Sequence, residues 1–335
     1  MCQAPARQVV LETWASVLPT WQEALARSPA NTLFLTPLWQ QIWWRHFGAG
    51  KQPLFFSFWA GQHLLGVAPL CQEGNTVTFL GEADLFDYHD FIVSQGGEGV
   101  FYPALLDALE GIPWRRMLLL SLREGSPTLE HIPTLAAQRG WECQMEEEDV
   151  APGLPLPGDW EAYLQGLDRH DRHELRRKLR RLTQESPLHF YTIDDPNALW
   201  GFLGEFFSLM RQSMEEKSRF LTPQREAFFR EAAIALAEQD ILRLWFLEYQ
   251  GKRVAAALCF DYQGQRLLYN SGFDPAYGHL SVSLVLKALT IKDAIERGLF
   301  YYDFLRGDED YKFRLGGRPR RLFRLTLVRP NQTLG

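Results

Sequence analysis

Cysteine is scarce and scattered. Cys2, Cys71, Cys143 and Cys259 are the only four in 335 residues, and no two stand as a C-x-x-C pair. That spacing excludes a zinc ribbon and a disulfide framework, and no metal site is expected. Cys71 and Cys259 end or lie inside apolar runs and read as reduced core residues rather than nucleophiles. No apolar run approaches the roughly 20 residues that a membrane helix needs. Met1–Arg7 also lacks the apolar core of a signal peptide. The expectation is a cytoplasmic protein without membrane insertion. Nor is positive charge in excess: a formal net charge of −6 argues against bulk attraction to nucleic acid or anionic lipid. With 46% apolar and 23% charged residues, the chain is neither disordered nor fibrous. Its length suits two domains of about 150 residues each.

What is present is divided by one break. Between Glu148 and Gly158 stand Pro152, Gly153, Pro155, Pro157 and Gly158, a pattern that cannot hold a helix or a sheet interior. The expected organisation is a first domain over 1–148, a linker over 149–158 and a second domain over 159–335. In the first, Leu54–Ala60, the turn Gly61-Gln62 and His63–Leu70 read as a hairpin. Strands follow at Thr76–Leu80 and Asp90–Val93, then a helix near Tyr102–Leu109 and a strand over Trp114–Leu122. Ser126-Pro127 opens a helix that stops at Gly140.

After the break come two helices to about Glu185, a strand over Leu188–Ile193 and a helix over Asn197–Glu216. Thr222-Pro223 starts another helix. Ile241–Tyr249, Val254–Tyr262 and Arg266–Phe273 read as three strands joined by Gln-Gly turns. A helix over Ser281–Arg297 and strands over Leu299–Phe304 and Arg321–Val328 complete the pattern. The fold class is α/β (α+β): two domains, each a mixed, mostly antiparallel sheet flanked by helices. The strand–Gly turn–strand order at Phe55–Leu70 and Trp245–Phe260 reads as a diverged duplication.

Two segments concentrate chemistry. Asp303-Phe304-Leu305-Arg306-Gly307-Asp308-Glu309-Asp310-Tyr311-Lys312 crowds four acids and two bases after an apolar strand. Such a cluster is a salt-bridge knot or a working site. The loop Asp274–Ser283 lies between a strand and a helix. Its backbone amides, the helix N-terminus and the hydroxyls of Ser281 and Ser283 can cradle a pyrophosphate; a plain Ser N-cap is the alternative. A third feature is the helix Asp168–Glu185, with Arg169, Arg172, Arg176, Arg177, Lys178, Arg180 and Arg181 opposite a Leu175/Leu179/Leu182 stripe. Its basic face is either a solvated surface or a grip for phosphate, tRNA or an anionic polymer.

The run Leu267-Leu268-Tyr269-Asn270-Ser271-Gly272-Phe273-Asp274-Pro275-Ala276-Tyr277, together with Tyr302–Lys312, resembles the GNAT acyltransferases of the CelD/BcsL type, named from cellulose biosynthesis. Phe34-Leu35-Thr36-Pro37-Leu38-Trp39, Gly66–Leu70, Phe79-Leu80-Gly81 and Asp87-Tyr88-His89-Asp90-Phe91 fit the same family. The resemblance implies tandem GNAT-like domains, an arrangement shared with the Fem peptidoglycan-bridge ligases that use aminoacyl-tRNA. It also implies an N-acyltransferase taking acetyl-CoA or a longer acyl-CoA as donor. The acceptor would be an amine on a sugar or a cell-envelope or exopolysaccharide precursor. Fem-like aminoacyl transfer from tRNA, or a non-catalytic scaffold in a polysaccharide-synthesis complex, are the alternatives. Where the family commonly carries Ser-Pro-Gly, this chain has Ser281-Val282-Ser283.

In that frame Asp303 is the first choice for base or amine anchor, with Asp308 and Glu309 next and Arg306 as their partner. Gly278, Ser281, Val282, Ser283, Arg180 and Arg181 are the candidates for holding the donor. Arg211 and Glu215, one helical turn apart, join Tyr311, Lys312 and His89 as acceptor-side candidates. Trp39, Trp43 and Trp44 read as core or as a sugar-lining face.

Overall fold

The computed structural model describes residues 7–185, 188–193 and 195–330. Cys2 and the rest of residues 1–6 therefore lie outside the described residues; Cys71, Cys143 and Cys259 are free thiols. Two compact units divide the chain: residues 1–149 with 321–335, and residues 150–320.

In the first unit β1 (Arg7–Glu12) leads to α1 (Trp14–Arg27), whose start is fixed by a reciprocal capping box between Thr13 and Ser16. α2 (Pro37–Phe47) has a Thr36 cap and Pro37 in its first turn. Then come β2 (Gln52–Ala60), β3 (His63–Glu73), β4 (Thr76–Phe79), β5 (Ile92–Val93), α3 (Glu98–Glu110), β6 (Arg116–Arg123), α4 (Pro127–Gln138) and β7 (Glu142–Val150). The second unit contains β8 (Gly153–Pro155), α5 (Trp160–Gly166), α6 (Arg169–Glu185), β9 (Leu188–Ile193), α7 (Pro196–Ser213), α8 (Glu215–Phe220) and α9 (Pro223–Ala237). It continues with β10 (Leu242–Tyr249), β11 (Lys252–Tyr262), β12 (Gln265–Phe273), α10 (Val282–Glu296), β13 (Tyr301–Asp303) and α11 (Asp310–Arg314). β14 (Arg321–Val328) returns to the first unit.

The first sheet runs β1-β2-β3-β4-β6-β14-β7, with β5 beside β3. Its core joins Phe56, Phe58, Val77 and Leu119 to Phe101 and Leu105 of α3 and Ile132 of α4. Trp39 and Trp43 are fully buried here, stacked edge-on against Phe86, so their aromatic surface is spent on packing.

The second sheet runs β8-β13-β12-β11-β10-β9. Both hairpin turns, Gln250-Gly251 and Gln263-Gly264, hold two successive positive φ values, the type I′ geometry that matches strand twist. On one face Trp245, Leu247, Ala257 and Cys259 meet Leu286 and Ile291 of α10 and Leu175 and Leu182 of α6. On the other, Phe202 of α7 meets Phe246, and Phe229 of α9 meets Tyr269.

Two expectations about the domains differ from this arrangement. The Pro/Gly segment is not a bare linker: β8 pairs antiparallel with β13, Leu154 opposite Tyr302. Prolines are tolerated there because β8 is an edge strand. A Cβ at Gly153 would come within 2.3 Å of the Tyr301 hydroxyl, which explains the glycine. And Arg321–Val328, expected in the second domain, pairs with β6 of the first unit, Leu325 opposite Leu119.

Candidate active site

β12 has two different edges. One pairs with β11 from Gln265 to Phe273; the other pairs with β13 in parallel only over Gln265–Leu267. After Asp303 the chain leaves the sheet, Phe304 N–H donating to Pro152 O (2.9 Å) and Gly307 N–H to Val150 O (2.8 Å). Beyond Leu267, β12 therefore has no neighbouring strand on that edge among the described residues, and a wedge opens. A bulge at Tyr269, left unopposed between the pairs Leu268–Cys259 and Asn270–Leu258, bends β12 where the wedge begins. At Gly272 the strand touches α7 so closely that a Cβ would lie 2.3 Å from Met210 N.

Three lysines enter this region from three elements. Lys312 of α11 is buried, and the loop after β13 wraps its ammonium: Leu305 O accepts at 3.0 Å, Arg306 O at 2.5 Å, Gly307 O at 3.1 Å and the Glu309 carboxylate at 2.8 Å. The wrap uses left-handed backbone at Leu305 and a positive φ of 109° at Gly307, where a Cβ would stand 2.5 Å from Glu309 Oε2. Lys217 of α8 donates to Ser271 O on the open edge of β12. Lys287 of α10 donates to Ser283 Oγ (2.7 Å) and lies 4.1 Å from the centre of the Tyr311 ring.

Burial pushes Lys287 down to about 7, with repulsion from Lys217 and Lys312 adding to it and Glu309 opposing it. Lys217, also desolvated, is pushed down to about 8, Glu309 again opposing and Lys312 reinforcing. For Glu309, burial acts upward, but the ammonium of Lys312 outweighs it and holds the carboxyl below its usual range.

The N-terminus of α10 opens from a turn over Pro275–Leu280 that contains Gly278. Ser281 is left-handed (φ 59°), Val282 is buried, and Ser283 spends its oxygen on Lys287. Arg181 of α6 reaches this turn, its guanidinium donating to His279 O at 3.4 Å; Arg180 is exposed on the same helix.

The remaining sequence candidates separate. Asp303 is buried, accepting from Leu305 N–H (2.9 Å) and Arg320 (2.6 Å), so its carboxylate braces the loop. Arg306 is half-buried in that loop, and Asp308 is exposed. The helix expected over Asn197–Glu216 breaks: Ser213 Oγ donates back to Met210 O (2.8 Å) and Met214 is extended. Arg211 and Glu215 consequently do not share a helical face. Arg211 pairs with Glu226 (2.5 Å), and Glu215 with Arg219. His89 belongs to the first unit, buried and stacked on Phe79 and Phe86 with ring centres 5.5 and 4.8 Å away. The basic face of α6 is partly neutralised, Arg176 pairing with Glu161 and Arg177 with Glu174.

Lys217 and Lys287 escaped the sequence reading. Lys287 did leave a signal, a lone charge inside Val285-Leu286-Lys287-Ala288-Leu289 on a helix buried around most of its circumference. Lys217, within Glu215-Glu216-Lys217-Ser218-Arg219, looks like any solvated turn.

Residues 169–313 match a family model described as an acetyltransferase (GNAT) domain. No curated protein sequence matches the chain. Among solved structures the chain is similar to FemX, with a TM-score of 0.66 and 13% identity over 95% of this chain and 96% of that one. It is also similar to the C-terminal domain of a protein described as a lysylphosphatidylglycerol synthetase from Agrobacterium fabrum, with a TM-score of 0.57 and 10% identity over 93% and 92%. A tandem GNAT protein from the clavulanic acid biosynthesis pathway gives 0.50 and 13% identity over 98% and 100%. The fold is thus a mixed α/β arrangement of the tandem GNAT-like kind, and the match to the GNAT acetyltransferase model lies within the second unit. Among the described residues no group suited to a metal ion is found, and no helix is long and apolar enough to cross a membrane.

Proposed function

We propose that the chain is an N-acyltransferase that moves an acyl group from acetyl-CoA or a longer acyl-CoA to an amine on a sugar or cell-envelope precursor. The observation that carries this reading is the wedge between β12 and β13, with the N-terminus of α10 in the same unit. The first-turn amides of α10, the Ser281 hydroxyl and Arg180 and Arg181 would hold the donor's diphosphate. Leu280 and Val282 flank Ser281 without a glycine, so side chains rather than bare backbone carry more of that contact. The acceptor arrives largely as an ammonium with a pKa of roughly 10 and must lose a proton before it attacks. Glu309, whose side chain is half-exposed beside Lys312, would take up that proton through water and pass it to solvent. Asp303 and Arg306 shape the loop that positions Glu309. Attack is direct: the buried thiol of Cys259, pushed up to about 12 chiefly by burial, is no nucleophile.

Calorimetric titration with acetyl-CoA and octanoyl-CoA tests the reading. Micromolar binding, weakened by Arg180→Ala/Arg181→Ala, is expected. Absence of binding to both esters would overturn it. The basic face of α6 favours a second reading, aminoacyl transfer from tRNA; it requires tRNA affinity that falls steeply with salt, and none for CoA.

A further inference from the structure

We infer that the wedge holds an anionic group, a carboxylate or phosphate carried by one of the two substrates, clamped between Lys217 and Lys287. The inference rests on the acyl-transfer reading and adds a charge requirement to it. Three ammonium groups share this region with one carboxylate, and that carboxylate is committed to Lys312. Lys312 is fully satisfied by Glu309 and three carbonyls. Lys217 and Lys287 are not. Each can donate three hydrogen bonds, yet among the described residues Lys217 meets Ser271 O and Lys287 meets Ser283 Oγ and the Tyr311 face. The Lys287 amine is buried and Lys217 is half-buried, and Lys217 lies close enough to depress the protonation of Lys287.

Unspent N–H donors inside protein cost free energy unless an acceptor arrives. Where both amines are protonated, below about pH 7, two surplus positive charges in a region of low dielectric select that acceptor: an anion gains from both, and a cation is repelled by both. Among the described residues the carboxylate that chiefly opposes the charge on both lysines is Glu309, and Cys259 near Lys287 stays a thiol.

The anion can travel on the donor or the acceptor, and two matched pairs of probes separate these sources. Calorimetry on the whole chain would compare succinyl-CoA with acetyl-CoA, and glucosamine 6-phosphate with glucosamine, at pH 6.5 and pH 9. At pH 6.5 both lysines bear more charge, so at least a tenfold preference for the anionic member of one pair is expected. It should shrink at pH 9, where the amines are neutral, and vanish in Lys217→Met and Lys287→Met. The pH comparison needs no variant and stands if one of these fails to fold. No preference in either pair, or one that persists undiminished at pH 9, would overturn the inference. If neither CoA ester binds, the acyl-CoA reading fails alone, since the sugar pair still reports on the wedge.

Discussion

Replacing Lys287 with methionine should stabilise the second unit at pH 6 by about 3 kcal/mol, and the gain should disappear by pH 10. Burial, then repulsion from Lys217, carries the Lys287 ammonium from its ordinary 10.5 down to about 7. At 1.36 kcal/mol per pH unit, that gap corresponds to about 5 kcal/mol. Its direction follows from proton linkage. The folded-state value lies below the unfolded one, so between about 7 and 10.5 the unfolded chain binds more protons and stability rises with pH. Below about 7 the full cost of the buried charge is present. Methionine removes it and keeps the apolar stem, but gives up the bond to Ser283 and the Tyr311 contact, worth about 1–2 kcal/mol. The assay is thermal unfolding of wild type and variant at pH 6, 8 and 10, followed by calorimetry and tryptophan fluorescence. At roughly 2–4 °C per kcal/mol for a unit of this size, the pH 6 midpoint should rise by about 6–12 °C. A variant less stable than wild type at pH 6, or a difference that does not change with pH, would refute the reasoning.

Asp303→Asn weakens the pair between buried Asp303 and partly exposed Arg320 and should cost about 2 kcal/mol in urea denaturation, whereas Asp308→Asn, at an exposed position, should stay within about 0.5 kcal/mol. Equal effects would mean that Asp303 does not brace its loop. Gly272→Ala drives a methyl into the backbone of α7 at Met210 and should cost about 3 kcal/mol, seen as a lowered urea midpoint. Gly201→Ala in the same helix meets nothing within 4 Å and should instead stabilise by about 0.5–1 kcal/mol.

How much of this was legible beforehand depends on whether the signal was local. The Gln-Gly turns, the Ser126-Pro127 and Thr222-Pro223 starts and the Leu175/Leu179/Leu182 stripe declare themselves within a few residues, and the elements they define lie where expected. β7 does not: Glu142-Cys143-Gln144-Met145-Glu146-Glu147-Glu148 has the composition of a solvated loop, and only pairing in the sheet makes it a strand. The return of β14 to the first sheet is equally invisible, because strand order is set by long-range contacts and not by the octapeptide itself. The cluster around Glu309 and Lys312 was readable as a dense charged motif. Its two other cations were not, since Lys217 is 95 residues before Lys312 in the numbering and carries no motif of its own.

β14 has a consequence for how the chain is made. It lies between β6 and β7, and among the described residues β14 is the one neighbour of β7 in the sheet order. A ribosome delivers β7 long before β14, with the whole of residues 150–320 in between. The second unit is contiguous and can complete its sheet as it emerges. The first must wait with an exposed edge at β6 and an acidic, unpaired β7 until the final strand arrives. The charge on β7 then has a use in time as well as in the finished fold, where Glu146 pairs with Arg324 and Glu148 accepts from Ser121 N–H: like charges along a waiting strand keep nascent chains from pairing with one another.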